Sequence, residues 1–150
     1  MTIFQTKSFN LREITKNDSS VLLEWRNEMR WNFFNSDVIS KITHNKYIKD
    51  TLKNSKRLQL ILEYNNMPIG TIREDSLSDD EFELSYTVSP KYRGNEIGKI
   101  MMELYLIGRK GSFLCVVKEN NIPSIKMIEK LKFKLYKSEN KVNFYKLIIK

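Results

Sequence analysis

Phe82 to Leu104 reads FELSYTVSPKYRGNEIGKIMMEL. Phe82 to Val88 has the β-branched and aromatic content of a strand and stops at Ser89-Pro90. A short basic loop with glycines follows, Lys91 to Gly98. Ile97, Ile100, Met101, Leu104 and Gly108 then recur at helical spacing. Strand, glycine loop and helix can present backbone N–H groups to a phosphate at the positive helix end. The same pattern is also an ordinary strand-to-helix turn, and the glycines alone leave both readings open.

Downstream, Arg109 and Lys110 read as the last turn of that helix and Gly111 as its left-handed cap. Ser112 to Val117 (SFLCVV) reads as a buried strand. A strand–helix–strand unit with no room for another element makes the two strands parallel through a right-handed crossover. Cys115 within it reads as a small buried hydrophobe, because nothing nearby would lower its pKa. Asn121 caps a helix marked by Ile125, Ile128 and Leu131, with Pro123 in its first turn. Phe133–Ser138 and Val142–Ile149 form a terminal hairpin across the turn Glu139-Asn140-Lys141.

Upstream, Phe9 to Thr15 alternates as a strand. Asn17-Asp18-Ser19 is an N-cap cluster for a helix carrying Val21, Leu22, Trp25 and Met29. Trp31, Phe33 and Phe34 follow on an irregular segment, where they plug the core or line a ligand pocket; core plugging is the expectation. Ser40 opens a second helix with Ile42, Tyr47, Ile48 and Leu52, and places His44 in its first turn as a solvated or capping residue. Arg57–Tyr64 and Met67–Glu74 form a hairpin across Asn65-Asn66, with Gly70 at a close contact or bulge. Ser76 to Asp80 reads as a polar loop.

The 150 residues suit one domain with its own core, and 41% apolar with 29% charged residues is the composition of a soluble globular protein. No apolar run approaches the roughly 20 residues of a membrane span, and the first residues lack a signal-peptide pattern. The single cysteine precludes an internal disulfide, which suits the cytoplasm; one His far from one Cys argues against a metal site. The net charge of +8 is compatible with nucleic acid, a membrane surface or a phosphorylated ligand. Lysine is scattered, however, and abundant Asn and Ile match the usage of an A/T-rich genome, so no nucleic-acid or membrane partner is expected.

The element order, with YTVSPKYRGNEIGK in the middle and ENNIPSIKMIEKLKF near the end, resembles the GNAT superfamily of acyl-CoA-dependent N-acetyltransferases over essentially the whole chain. That family's Arg/Gln-x-x-Gly-x-Gly/Ala motif aligns with Arg93, Gly94, Asn95, Glu96, Ile97 and Gly98. Its Asn-x-x-Ser/Ala motif, followed by a helix and Gly-Phe, aligns with Asn121, Ser124 and Lys132-Phe133. The resemblance implies an α/β (α+β) fold, one GNAT-like domain over residues 1–150. Its mixed, mostly antiparallel sheet splays between two parallel strands, with helices on both faces.

It further implies acetyl-CoA as donor co-substrate, with no metal. The loop amides from Arg93 to Gly98, with Lys99, Asn121 and Ser124, would hold coenzyme A, and the main chain of Tyr86, Thr87 and Val88 would bind its pantetheine arm beside a bulge. This chain departs from the pattern at three places. Glu96 replaces the middle glycine, Ile128 stands where a tyrosine general acid is usual, and Lys132 replaces the glycine before Phe133. Glu83 is the candidate base, and Tyr136 or Tyr86 a candidate substitute acid.

LREITKNDSSVLLEWRNEMR and THNKYI resemble the branch that acetylates nucleotide-linked aminosugars, and share Trp-Arg-Asn and His-x-x-aromatic patterns with ribosomal-protein N-terminal acetyltransferases. The resemblance places Trp25, Arg26, Asn27 and His44 at the acceptor site. It implies acetyl transfer to a primary amine on a nucleotide-linked aminosugar by a bacterial, cytoplasmic monomer or homodimer. The alternatives are a protein N-terminal acetyltransferase and a catalytically degenerate acyl-CoA-binding protein.

Overall fold

The computed structural model describes residues 8–94 and 96–150, and every statement of absence below refers to them. Seven strands form one mixed sheet in the order β1-β2-β3-β4-β5-β7-β6. They are β1 (Phe9–Glu13), β2 (Arg57–Tyr64), β3 (Met67–Ser78), β4 (Glu81–Val88), β5 (Gly111–Lys118), β6 (Lys134–Glu139) and β7 (Val142–Ile149). The helices are α1 (Ser19–Glu28), α2 (Lys41–Lys53), α3 (Ile97–Leu106) and α4 (Ile122–Lys130). Only β4 and β5 pair in parallel, as the crossover requires; every other pairing is antiparallel.

Alternation along the strands divides the core between the two faces. The larger cluster joins Leu62, Ile72, Leu84, Met101, Met102, Phe113, Ile128 and Phe133 beneath α3 and α4. The smaller joins Ile14, Leu22, Trp25, Ile48 and Ile61 beneath α1 and α2. Cys115 is fully buried, and burial raises its thiol pKa, with Glu83 adding to the effect. Gly70 needs its missing side chain, since a Cβ there would stand 3.1 Å from Met101 Sδ and 3.3 Å from Thr87 O. The terminal hairpin turns on Asn140 and Lys141, both at positive φ.

Several boundaries differ from the sequence reading. Ser76–Asp80 is not a loop: β3 continues to Ser78, and only Asp79 and Asp80 turn. The extra length is supported where Asp75 receives both Arg57 Nε and Arg73 Nε. Helix α3 ends at Leu106, with Gly108 rather than Gly111 taking the left-handed conformation near its end. Arg109 thus leaves the helix and donates to Glu74, its guanidinium lying against Phe82, Tyr105 and Phe113. Asp18 does not cap α1 with its side chain. Its carboxylate instead accepts from Thr15 N and from both Arg12 Nη atoms, closing a capping box one turn earlier.

Trp31 and Phe34 do not plug the core: they are 66% and 59% exposed. A short 3-10 turn, Arg30–Asn32, follows α1, Lys118 Nζ of β5 donates to Trp31 O at 3.0 Å, and Asn27 clamps the segment beyond. Its Oδ1 accepts from Ile39 N at 2.8 Å and its Nδ2 donates to Ile39 O at 3.0 Å.

Candidate functional site

The site begins where β4 and β5 part. Their ladder runs from Glu81↔Ser112 to Leu84↔Cys115 and no further, although β4 continues to Val88 and β5 to Lys118. On its other edge β4 stays paired to β3 without interruption, from Ser76↔Phe82 to Gly70↔Val88. The expected bulge in β4 is therefore absent; the irregularity in this hairpin lies between Ser76 and Ser78 of β3. The strands separate because β4 follows β3 while β5 follows β7 in register to Lys118↔Val142.

Parting leaves donors unspent. Ser89 N–H is taken by Ile69 O at 2.8 Å. Alternation then turns the Thr87 N–H toward β3 and those of Val88 and Tyr86 toward the gap. A cavity of about 480 Å³ runs through this gap. Ser85, Tyr86, Thr87 and Val88 line one side and Val116 and Val117 the other. Arg93, Gly94 and Glu96–Lys99 close one end, with Asn121, Ser124 and Met127 of the α4 segment above. Asn95 lies outside the described residues.

The loop at the head of α3 folds as the glycine motif demands. Gly94 has φ +82°, and nothing lies within 4 Å of a Cβ built there. Glu96 adopts the left-handed conformation at φ 58°, where its family counterpart is glycine. Its carboxylate turns toward Lys130 Nζ at 3.5 Å, and both side chains are more than 60% exposed, at 62% and 64%. At Gly98 a Cβ would meet Met127 Cε at 3.5 Å and Val88 Cγ2 at 3.6 Å, so the bare backbone widens the gap between α3 and β4. Asn121 Oδ1 caps α4 by accepting from Ser124 N at 3.4 Å.

Ser124 Oγ also shares a hydrogen bond with Tyr86 Oη. Burial pushes the Tyr86 phenol well above its ordinary pKa of 10.0, while Ser124 opposes the shift, so the phenol keeps its proton. Glu83 reaches the same cavity and forms no salt bridge. Tyr136 does not reach it. β7 lies between β5 and β6, so Tyr136 sits on the sheet's far edge, 49% exposed, against Phe144 and under Lys146. Ile128, at the position of the family's tyrosine, is fully buried in the larger core.

A second cavity of about 280 Å³ adjoins the first beneath α1 and α2, and both are lined by Phe33, Arg73, Ser85, Tyr86 and Thr87. Trp25, Arg26 and His44 line it, whereas Asn27 is spent on Ile39. His44 is 6% exposed, neither solvated nor capping. Its Nδ1 meets Ser19 Oγ at 3.1 Å, and burial, then the Arg26 charge, lower its pKa below the ordinary 6.5. Arg73 was missed in the sequence, and Phe33 was read toward core plugging rather than pocket lining. Phe33 carried a signal, as one of three aromatics on an irregular segment; Arg73 carried none beyond its strand position. No helix is long and apolar enough to cross a membrane, and no group of three or more His, Cys, Asp or Glu could hold a metal ion among the described residues.

The Acetyltransferase (GNAT) family model matches residues 21–133. No curated protein matches the chain significantly. Among solved structures, a domain from Methanocaldococcus jannaschii DSM 2661 superposes with TM-score 0.80 at 25% identity, covering 94% of this chain and 98% of that one. RimL, a ribosomal L7/L12 alpha-N-protein acetyltransferase in complex with coenzyme A, gives TM-score 0.78 at 14% identity, covering 97% and 96%. The Campylobacter jejuni N-acetyltransferase PseH gives TM-score 0.74 at 14% identity, covering 94% and 98%, and has also been solved with acetyl coenzyme A. At 14% identity the last two likenesses are likenesses of fold.

Proposed function

The chain belongs to the GNAT acetyltransferase family, and from that premise we propose that it transfers an acetyl group from acetyl-CoA to a primary amine carried by a nucleotide-linked aminosugar. The observation that carries the donor half is the gap between β4 and β5, with its unspent Tyr86 and Val88 N–H groups. An extended amide-bearing arm adds to such an edge as a strand would. The gap leads to the N-terminus of α3, where left-handed Gly94 and bare Gly98 leave the backbone approachable. This is the donor set an anionic pyrophosphate requires. Arg93 and Lys99 add positive charge, while the Glu96 carboxylate is drawn aside by Lys130. The bound donor supplies an activated acetyl thioester; the protein supplies alignment and proton handling.

Three groups do the remaining work. An open N–H on β4 is the preorganised donor for a carbonyl oxygen gaining negative charge. Glu83, in the cavity and without a salt bridge, accepts the proton of the incoming amine, directly or through water. Tyr86, whose hydroxyl lies at the cavity against Ser124, stands where it can donate the proton that Ile128 cannot. Tyr86 thus takes the role that the sequence reading divided between it and Tyr136.

For the acceptor, the aromatic segment at the cavity mouth supports the reading. Phe33 and Phe34 line the cavity, and exposed Trp31 beside them offers a further stacking surface for a base or sugar ring. The test is a free-thiol assay with acetyl-CoA against UDP-4-amino sugars, peptides with free N-termini, and polyamines. Fastest thiol release with a UDP-amino sugar is expected. Fastest release with peptides would move the assignment to protein N-termini, and release with none would leave a donor-binding protein without turnover.

A further inference from the structure

The second cavity is polar in a one-sided way. Besides its apolar walls it is lined by Arg26, Arg73, His44, Gln59 and the hydroxyls of Thr43, Tyr47, Thr71, Ser85, Tyr86 and Thr87. No carboxylate lines it. Arg73 is paired with an acid: its Nε lies 3.0 Å from Oδ2 of Asp75, a carboxylate it shares with Arg57, and its Nη1 donates to Tyr47 Oη at 3.2 Å. Arg26 is not. It forms no salt bridge among the described residues, and its only hydrogen-bond partner is the Asn35 carbonyl, reached by Nη2. Its Nη1 is buried without a partner. The face of Phe33, with its centroid 4.3 Å from the guanidinium carbon, lies against it.

A half-buried cation with a buried, unspent N–H is costly to maintain. We infer that Arg26 holds an anionic group of the acceptor, a phosphate or a carboxylate, in this second cavity while the acceptor's amine lies in the neighbouring groove beside Glu83. The inference rests on the acetyltransferase reading and narrows its acceptor class. The geometry suits it because Phe33, Arg73, Ser85, Tyr86 and Thr87 belong to both cavities, so one small molecule can span them. Nη1 is closed to solvent, so its engagement requires a local rearrangement that exposes it. The same cavity disfavours polyamines, whose far end is a second cation facing two guanidinium groups.

His44 reports on this site, being the only histidine in the chain and lowered in pKa partly by the Arg26 charge. The groups around the cavity are Arg26 from α1, Tyr47 and Thr43 from α2, Gln59 from β2, Arg73 from β3 and Tyr86 from β4, with Ser19 on the His44 ring and the Asp37 charge acting on Arg26. An anion on Arg26 therefore raises the His44 pKa.

The experiment saturates the protein with CoA, which occupies the first groove, and titrates it calorimetrically with ethanolamine, 2-aminoethyl phosphate and 3-aminopropanoate. The His44 ring is followed by NMR through a pH series. We expect at least one anionic amine to bind at least about tenfold more tightly than ethanolamine and to raise the His44 pKa, with the tighter of the two identifying phosphate or carboxylate. Arg26→Gln should bind CoA as the wild type does, lose the preference for anions and show a raised His44 pKa without ligand. Arg26→Lys should restore part of the preference. Equal binding of all three amines, binding of none, or an undiminished preference in Arg26→Gln would overturn the inference. Failure of CoA to bind would instead overturn the acetyltransferase reading, and the same titration on free protein would still decide the anion site.

Discussion

Glu96 offers a test of the loop that decides the site, because it holds a glycine conformation without being glycine. At φ 58° a residue with a Cβ carries a penalty of about 1–2 kcal/mol that glycine escapes. Glycine gives back about 0.5–1 kcal/mol through its freer unfolded chain. Glu96→Gly also loses the pair with Lys130, worth about 0.5 kcal/mol or less at 62% and 64% exposure. Glu96→Ala loses the same pair and keeps the left-handed penalty. Glycine should therefore exceed alanine by about 0–1.5 kcal/mol, the reverse of the order inside a helix, where alanine leads by about 1 kcal/mol. Urea unfolding of both variants followed by circular dichroism measures the difference, and the melting temperatures should differ by about 2 °C. Alanine clearly above glycine, as in a helix interior, would show that residue 96 is not left-handed in solution and that the loop does not present its backbone as described. Because the carboxylate lies toward Lys130, Glu96→Gly should change CoA affinity by no more than about threefold.

Three further outcomes follow from the same geometry. The folded state holds His44 at a pKa below its ordinary 6.5, so it binds fewer protons than the unfolded chain as pH falls; stability should be fully present above pH 6.5 and decline as pH falls from there through the lowered value, and His44→Gln should remove this first decline in pH-dependent urea unfolding. Asp18→Ala should cost about 2–4 kcal/mol by chemical denaturation, since it leaves Arg12 Nη1 and Nη2 and Thr15 N without their shared acceptor. In steady-state kinetics Glu83→Gln should lower kcat about 100-fold and Tyr86→Phe about tenfold, whereas Tyr136→Phe should leave kcat within about twofold, and a large loss in Tyr136→Phe would restore its candidacy.

The strand–helix–strand centre was legible because each element carries its own signal. Ser89-Pro90 stops β4, the helical spacing begins at Ile97, and Asn121 with Pro123 starts α4. The helix end was misread because two glycines, Gly108 and Gly111, competed for one cap; only the Glu74 carboxylate, distant in sequence, shows why Arg109 leaves the helix. Tyr136 was misplaced because nothing local in the chain reveals that β7 inserts between β5 and β6. The second cavity was partly visible. Trp25, Arg26 and His44 were named from a resemblance, but Asn27 belongs to a clamp whose partner, Ile39, is twelve residues away. The gap itself was anticipated with the wrong cause, because loyalty of β4 to β3 and of β5 to β7 is a property of the assembled sheet rather than of either strand.

The central claim is that acetyl-CoA lies in the gap between β4 and β5 as an added strand would. Residue-resolved amide exchange with and without acetyl-CoA tests it most directly. The account predicts that the ligand slows exchange at Tyr86 and Val88, whose N–H groups face the gap, and leaves Thr87, which faces β3, nearly unchanged. Unchanged exchange at Tyr86 and Val88 in the presence of saturating ligand, with protection arising elsewhere, would contradict it.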